Sequence, residues 1–116
     1  MSKRDPTVVL QQILAHAVEA VTIAQNHTRA DLDTDRLLNL ALTRLLEIVG
    51  EGAGRMPQDE HSRYPEIPWS QMVSLRNRLI HGYDVVDLNI LWQVITTELP
   101  ALILSLQAIL EADTPS

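Results

Sequence analysis

The chain has 116 residues, enough for a single domain over residues 1–116 to bury a stable core without covalent staples. It contains no cysteine, which excludes disulfides, thiolate metal sites and cysteine nucleophiles. Nine Lys and Arg stand against fifteen Asp and Glu, and a net charge of −6 would not by itself point to nucleic acid.

Hydrophobic residues make up 46% but aromatic ones only 3%, with no phenylalanine. An apolar mass of Leu, Ile, Val and Ala favours a helical core over a β-sandwich. The first predicted helix runs from about Pro6 to Asn26, with Leu10, Ile13, Ala17, Val21 and Ala24 at helical spacing. The second opens on the acidic stretch Asp31 to Asp35, which suits the positive end of a helix dipole, and continues to about Glu51. Leu38, Ala41, Leu42, Leu45, Ile48 and Val49 form its predicted buried stripe, with Arg36, Thr43, Glu47 and Gly50 on the other side. Gly52, Gly54, Pro57 and Pro65 punctuate a predicted loop over roughly 52–67. A third helix opens at Pro68 and Trp69 and is predicted to end at Gly82 as its C-cap. Asp87 is a good N-cap for a fourth helix reaching about Ala112, which Pro100 should kink; the alternative is two shorter helices broken near Glu98. The expected fold is therefore all-α, an antiparallel up-and-down four-helix bundle with its last helix kinked at Pro100.

No apolar run is read as a membrane span and no signal peptide precedes the first helix, so the default expectation is a soluble cytoplasmic protein. The histidines (His16, His27, His61 and His81) lie far apart, with no HExxH, and no metal or cofactor is expected on this chain. No Lys or Arg follows Arg78, while Asp84, Asp87, Glu98, Glu111 and Asp113 do. Such an acidic flank either repels RNA or docks a basic partner.

The chemistry concentrates in Arg76-Asn77-Arg78-Leu79-Ile80-His81-Gly82-Tyr83, where two arginines, an amide, a histidine and a tyrosine fall within eight residues. Arginine offers a bidentate fork to phosphate oxygens, and histidine moves a proton near neutral pH, so the combination points to phosphate handling. On one continuous helix Arg76 and His81 stand about 140° apart, and Arg76 would lie nearly in line with Tyr83. The two groups would then sit at the edges of a groove, completed by the same helix of a second subunit, which predicts a homodimer. Bland roles compete at each position. His81 could serve the helix dipole, Tyr83 could pack at the helix end, and Arg76 could pair with Glu47 or Glu51. Arg78 is read as solvated or phosphate-steering. Glu47 and Glu51 are read as orienting arginines or lining the dimer cleft, and Trp69 and Trp92 as anchors rather than base-stacking platforms.

The Arg-x4-His-x-Tyr pattern of Arg76, His81 and Tyr83 resembles the signature of the HEPN superfamily, and most closely its HepT-like toxins. The stretches Leu45-Leu46-Glu47-Ile48-Val49-Gly50-Glu51, Pro68-Trp69 and Glu98-Leu99-Pro100 fit the same resemblance in the same order. Asp84, where an apolar or aromatic residue is expected, departs from it and leaves the motif intact. The resemblance implies a metal-independent endoribonuclease. His81 would activate the ribose 2′-hydroxyl or protonate the leaving oxygen, Arg76 would stabilise the charged phosphorane, and Asn77 would orient the phosphate or imidazole. It implies a minimal nucleotidyltransferase antitoxin, MntA-like, that transfers AMP to Tyr83, with ATP and magnesium belonging to that partner's reaction. A competing expectation is a non-catalytic module that binds a nucleotidyltransferase or a nucleotide, with the acidic last third as its docking face.

Overall fold

The computed structural model describes residues 5–82 and 85–112. The chain is mostly helical. Helix α1 spans Pro6–Ala24, with Asp5 as its N-cap accepting a 2.8 Å hydrogen bond from the Thr7 amide. A single turn, α2 (Asp31–Thr34), precedes α3 (Arg36–Arg55), whose N-cap Asp35 accepts from the Leu38 amide. Two short helices follow, α4 (Gln58–Arg63) and α5 (Trp69–Val73), then α6 (Leu75–Leu79). The strands β1 (Ile80–His81) and β2 (Val85–Val86) pair antiparallel, Ile80 opposite Val86 and His81 opposite Val85. The last helical run comprises α7 (Leu88–Gln93), a π-helical segment Val94–Glu98 and α8 (Leu99–Ala112).

Helix α1 packs on α3 and α8, and α3 packs in turn on α5 and α6. Leu10, Ile13, Leu42, Leu46, Val49, Leu79, Leu91, Ile95, Leu99 and Leu106 are among the fully buried side chains. Helix α3 is buried on more than the predicted stripe: Thr43 and Gly50 lie inside, while Ala41 is exposed. At Gly50 the reason is close approach, since a Cβ there would stand 2.9 Å from the Met72 carbonyl oxygen and 3.5 Å from the Leu75 Cβ. The missing side chain lets the motif-bearing helices lie directly against α3.

Four further expectations are corrected. The predicted loop over 52–67 is largely helical, because α3 continues to Arg55 and α4 follows Pro57. The third helix ends at Leu79, not Gly82. Ile80, Val85 and Val86 are β-branched and pair as strands, and Gly82, at φ 71°, takes the left-handed conformation of the turn rather than capping a helix. The last run is not broken near Glu98: the Leu99 amide bonds the Val94 carbonyl five residues back, so the ladder widens by one residue just ahead of Pro100. Finally, Pro6–Ala24 and Leu88–Ala112 are long and apolar enough to cross a membrane by length and composition alone, contrary to the expectation of no such run. Both contribute rows of core side chains, and 33% of each apolar window is buried inside the fold.

Candidate active site

Each basic side chain of the motif lies against a carboxylate from another element or its cap. Arg76, near the start of α6, is 73% exposed, and its Nε lies 3.6 Å from Oε2 of Glu47 on α3. Arg78 is turned the other way. Its Nη1 and Nη2 donate to the two oxygens of Glu98 at 3.0 and 2.7 Å, a bidentate pair with the π segment that is only 29% exposed on each side. These hydrogen bonds raise the Arg78 pKa above its ordinary value. His81, on β1 and 56% exposed, places Nε2 3.2 Å from Oδ2 of Asp87.

Asp87 does two things at once. Its Oδ1 accepts from the Ile90 amide at 3.0 Å and caps α7, and its Oδ2 faces the imidazole. Its amide donates to the Leu79 carbonyl at 2.7 Å, which ties the foot of the hairpin to the end of α6. The Ile90 amide hydrogen bond, and to a lesser extent His81, hold the Asp87 pKa below 3.8 against partial desolvation. An ionised carboxylate only accepts, so Nε2 of His81 carries the proton and Nδ1 is left to face solvent chemistry.

The predicted residues are thus sorted. Glu47 pairs with Arg76, as one of its two expected partners, whereas Glu51 pairs with Arg44 at 3.1 Å on the surface of α3. Arg78 is partly exposed, with its fork held by Glu98. Asn77 is exposed on α6, between the two arginines. The helical relation between Arg76 and His81 does not hold, because α6 stops two residues before His81. Tyr83 lies outside the described residues. Asp87 was legible as an N-cap but not as the partner of His81, and Glu98 carried no sequence signal of its own beyond its place in the resembling Glu98-Leu99-Pro100 block. Among the described residues no group of three or more His, Asp or Glu side chains is arranged to hold a metal ion.

The family model described as Ribonuclease HepT-like matches residues 13–109, a span that includes every one of these side chains. The chain belongs to the HepT-like ribonuclease family. Among curated relatives, a Methanocaldococcus jannaschii protein provisionally named as an RNase is 33% identical over 100 residues, covering 86% of this chain and 92% of its own length. A Thermococcus cleftensis protein named Probable ribonuclease HepT is 36% identical over 93 residues, covering 77% of this chain and 84% of its own. A third relative, from Caldanaerobacter subterraneus and also provisionally named as an RNase, is 28% identical over 110 residues, covering 95% of this chain and 98% of its own length. No solved structure matches the chain significantly.

Proposed function

We propose that this HepT-like chain is a metal-independent endoribonuclease, the toxin of a toxin–antitoxin pair. It cuts RNA with Arg76 and His81 in a cleft between two copies of the chain. The observation that carries this reading is the division of labour among the motif's three basic side chains. Arg78 is consumed by Glu98, whereas Arg76 and His81 stay exposed, each braced from behind by one carboxylate. Bracing without burial suits groups that must meet an outside anion.

In the proposed reaction the ribose 2′-oxygen attacks the adjacent phosphorus and the P–O5′ bond breaks, giving a 2′,3′-cyclic phosphate and a 5′-hydroxyl. One proton leaves the 2′-oxygen and another must reach the 5′-oxygen. A two-fold cleft holds two His81 side chains, so one imidazole Nδ1 takes the first proton and the other delivers the second. Arg76 donates to the equatorial oxygens as negative charge gathers on the phosphorane, with Asn77 beside it to orient the phosphate. Glu51, with Glu47, lines the cleft. The architecture that accompanies this reading is the antiparallel four-helix bundle, its last helix bent where the π segment meets Pro100.

Silencing follows from the sequence neighbourhood of His81. Tyr83 is two residues on, so the covalent chain keeps its Cα within about 7 Å of that of His81. An MntA-like nucleotidyltransferase transfers AMP from ATP to the Tyr83 hydroxyl with release of pyrophosphate. The adduct sets bulk and negative charge beside the site and repels RNA. A digest in EDTA tests the catalytic half. The wild type should cut RNA, while Arg76→Ala and His81→Ala should not, their circular dichroism unchanged. Cleavage that requires a divalent ion, or that persists in both variants, refutes the mechanism. An unmodified Tyr83 after incubation with antitoxin and ATP, seen by mass spectrometry under conditions that restore growth, refutes the silencing.

A further inference from the structure

The two short helices ahead of α6 wall a cavity of about 490 Å³, lined by Gln58, His61 and Ser62 of α4 and by Trp69, Ser70 and Val73 of α5. Its back wall is a rigid pair of rings. The His61 imidazole lies on the Trp69 indole with centroids 4.4 Å apart and planes 11° from parallel. Both rings are pinned. Trp69 Nε1 donates to the Tyr64 carbonyl at 2.9 Å, and His61 Nε2 donates to the Ala53 carbonyl at 2.9 Å, at the end of α3. Trp69 is buried and serves as an anchor. His61 is partly exposed and lines the cavity, and with one ring face covered by indole its other face is the one left for a ligand. Around it stand an amide, two hydroxyls and the half-exposed Val73. A fixed π surface with a few adaptable polar groups is the chemistry that accepts a planar heteroaromatic ring.

The cavity also lies next to the motif in the chain. The helical ladder is interrupted at Ser74, whose φ of −86° and ψ of 3° end α5 and open α6. The Ser74 amide still bonds the Ser70 carbonyl at 3.1 Å and the Arg78 amide bonds the Ser74 carbonyl at 2.9 Å, so the two short helices follow one another directly. Ser70, Val73, Arg76 and Asn77 are all exposed. Seven residues of helical rise, about 10 Å, separate Trp69 from Arg76, within reach of a short stretch of extended single strand.

We propose that this cavity is a nucleobase subsite: a base of the RNA strand flanking the scissile phosphate stacks on His61 and is hydrogen-bonded by Gln58, Ser62 or Ser70. The inference rests on the ribonuclease reading of Arg76 and His81, and it adds where the strand runs. The test uses a single-stranded oligoribonucleotide carrying 5-iodouridine and the full-length His81→Ala chain, which binds without cutting. Ultraviolet cross-linking should label a peptide within residues 58–73. On that background His61→Ala and Val73→Glu, one removing the platform and one closing the groove from an exposed position, should each weaken binding by about tenfold in fluorescence anisotropy. In the otherwise native chain the same substitutions should raise KM by about as much, the loss concentrated in KM. Unchanged binding and KM in both variants overturn the subsite and leave the catalytic reading standing. Cross-linking at the cavity by a chain that cuts no RNA does the reverse. If Val73→Glu instead splits the dimer in light scattering while monomers still bind RNA normally, the groove is an interface between copies and the subsite is overturned.

Discussion

At the scale of single residues, Asp87 is the side chain on which most depends. Its carboxylate caps α7 and sets which nitrogen of His81 holds a proton, while its backbone amide closes the foot of the hairpin. Asp87→Asn keeps an N-cap oxygen but removes the charge opposite the imidazole. Cleavage should fall on the order of tenfold to a hundredfold, with a small but measurable loss of stability at neutral pH. Asp87 also carries a pH signature. Its folded pKa lies below 3.8, so its stabilising contribution is complete above 3.8 and is lost as pH falls through the depressed folded value. The stability gap between wild type and Asp87→Asn, read by urea unfolding, should therefore narrow only in that acidic window. A gap that narrows instead near neutrality would show that the carboxylate acts through something else.

At the scale of elements, the motif was legible as a cluster and misleading as a helix. Ile80 and His81 continue the apolar and polar rhythm of α6, and Gly82 reads naturally as a cap, so periodicity alone extends the helix two residues too far. What ends it is tertiary: Val85 and Val86 return to pair with Ile80 and His81, and no local propensity announces a partner several residues ahead. Glu98 was hidden for a related reason. The π segment inserts an extra residue per turn, so a stripe counted at ordinary helical spacing does not carry Glu98 toward Arg78. Glu47, by contrast, sits on an unbroken helix and could be named from the sequence as a partner for Arg76. Two predictions belong here. Glu98→Gln and Arg78→Lys, which each spoil the bidentate fork, should lower stability by about 1–2 kcal/mol and slow cleavage without abolishing it. Gly50→Ala should cost about 1–3 kcal/mol, measured by denaturant unfolding, because the new methyl meets the Met72 carbonyl, a backbone atom with no room to give.

At the scale of the whole molecule, the open question is whether cutting requires two chains. The described residues form an elongated body of 46 × 30 × 24 Å with Leu37, Val85 and Leu104 among its most exposed apolar side chains. If each site combines groups from both copies, co-refolding the wild type with an excess of the His81→Ala chain should abolish most of its cleavage, because a mixed dimer holds one imidazole where the reaction uses two. Unchanged cleavage per wild-type chain would place a complete site within a single chain. The acidic last third, which looked from composition like an obstacle to RNA, is partly spent inside the fold: Glu98 neutralises Arg78 and Asp87 faces His81. Net charge therefore overstated the repulsion the site presents, because it counted as surface two acids that hold the motif in place.

The bracing of neighbouring basic groups by residues 47, 87 and 98 also fixes when the motif can take shape. A nascent chain still short of Glu98 leaves the Arg78 fork empty and lacks the buried Leu99 and Leu102 that follow it. On the proposed reading, a site for RNA therefore has no scaffold during its own translation, when the polypeptide lies nearest to message and ribosomal RNA.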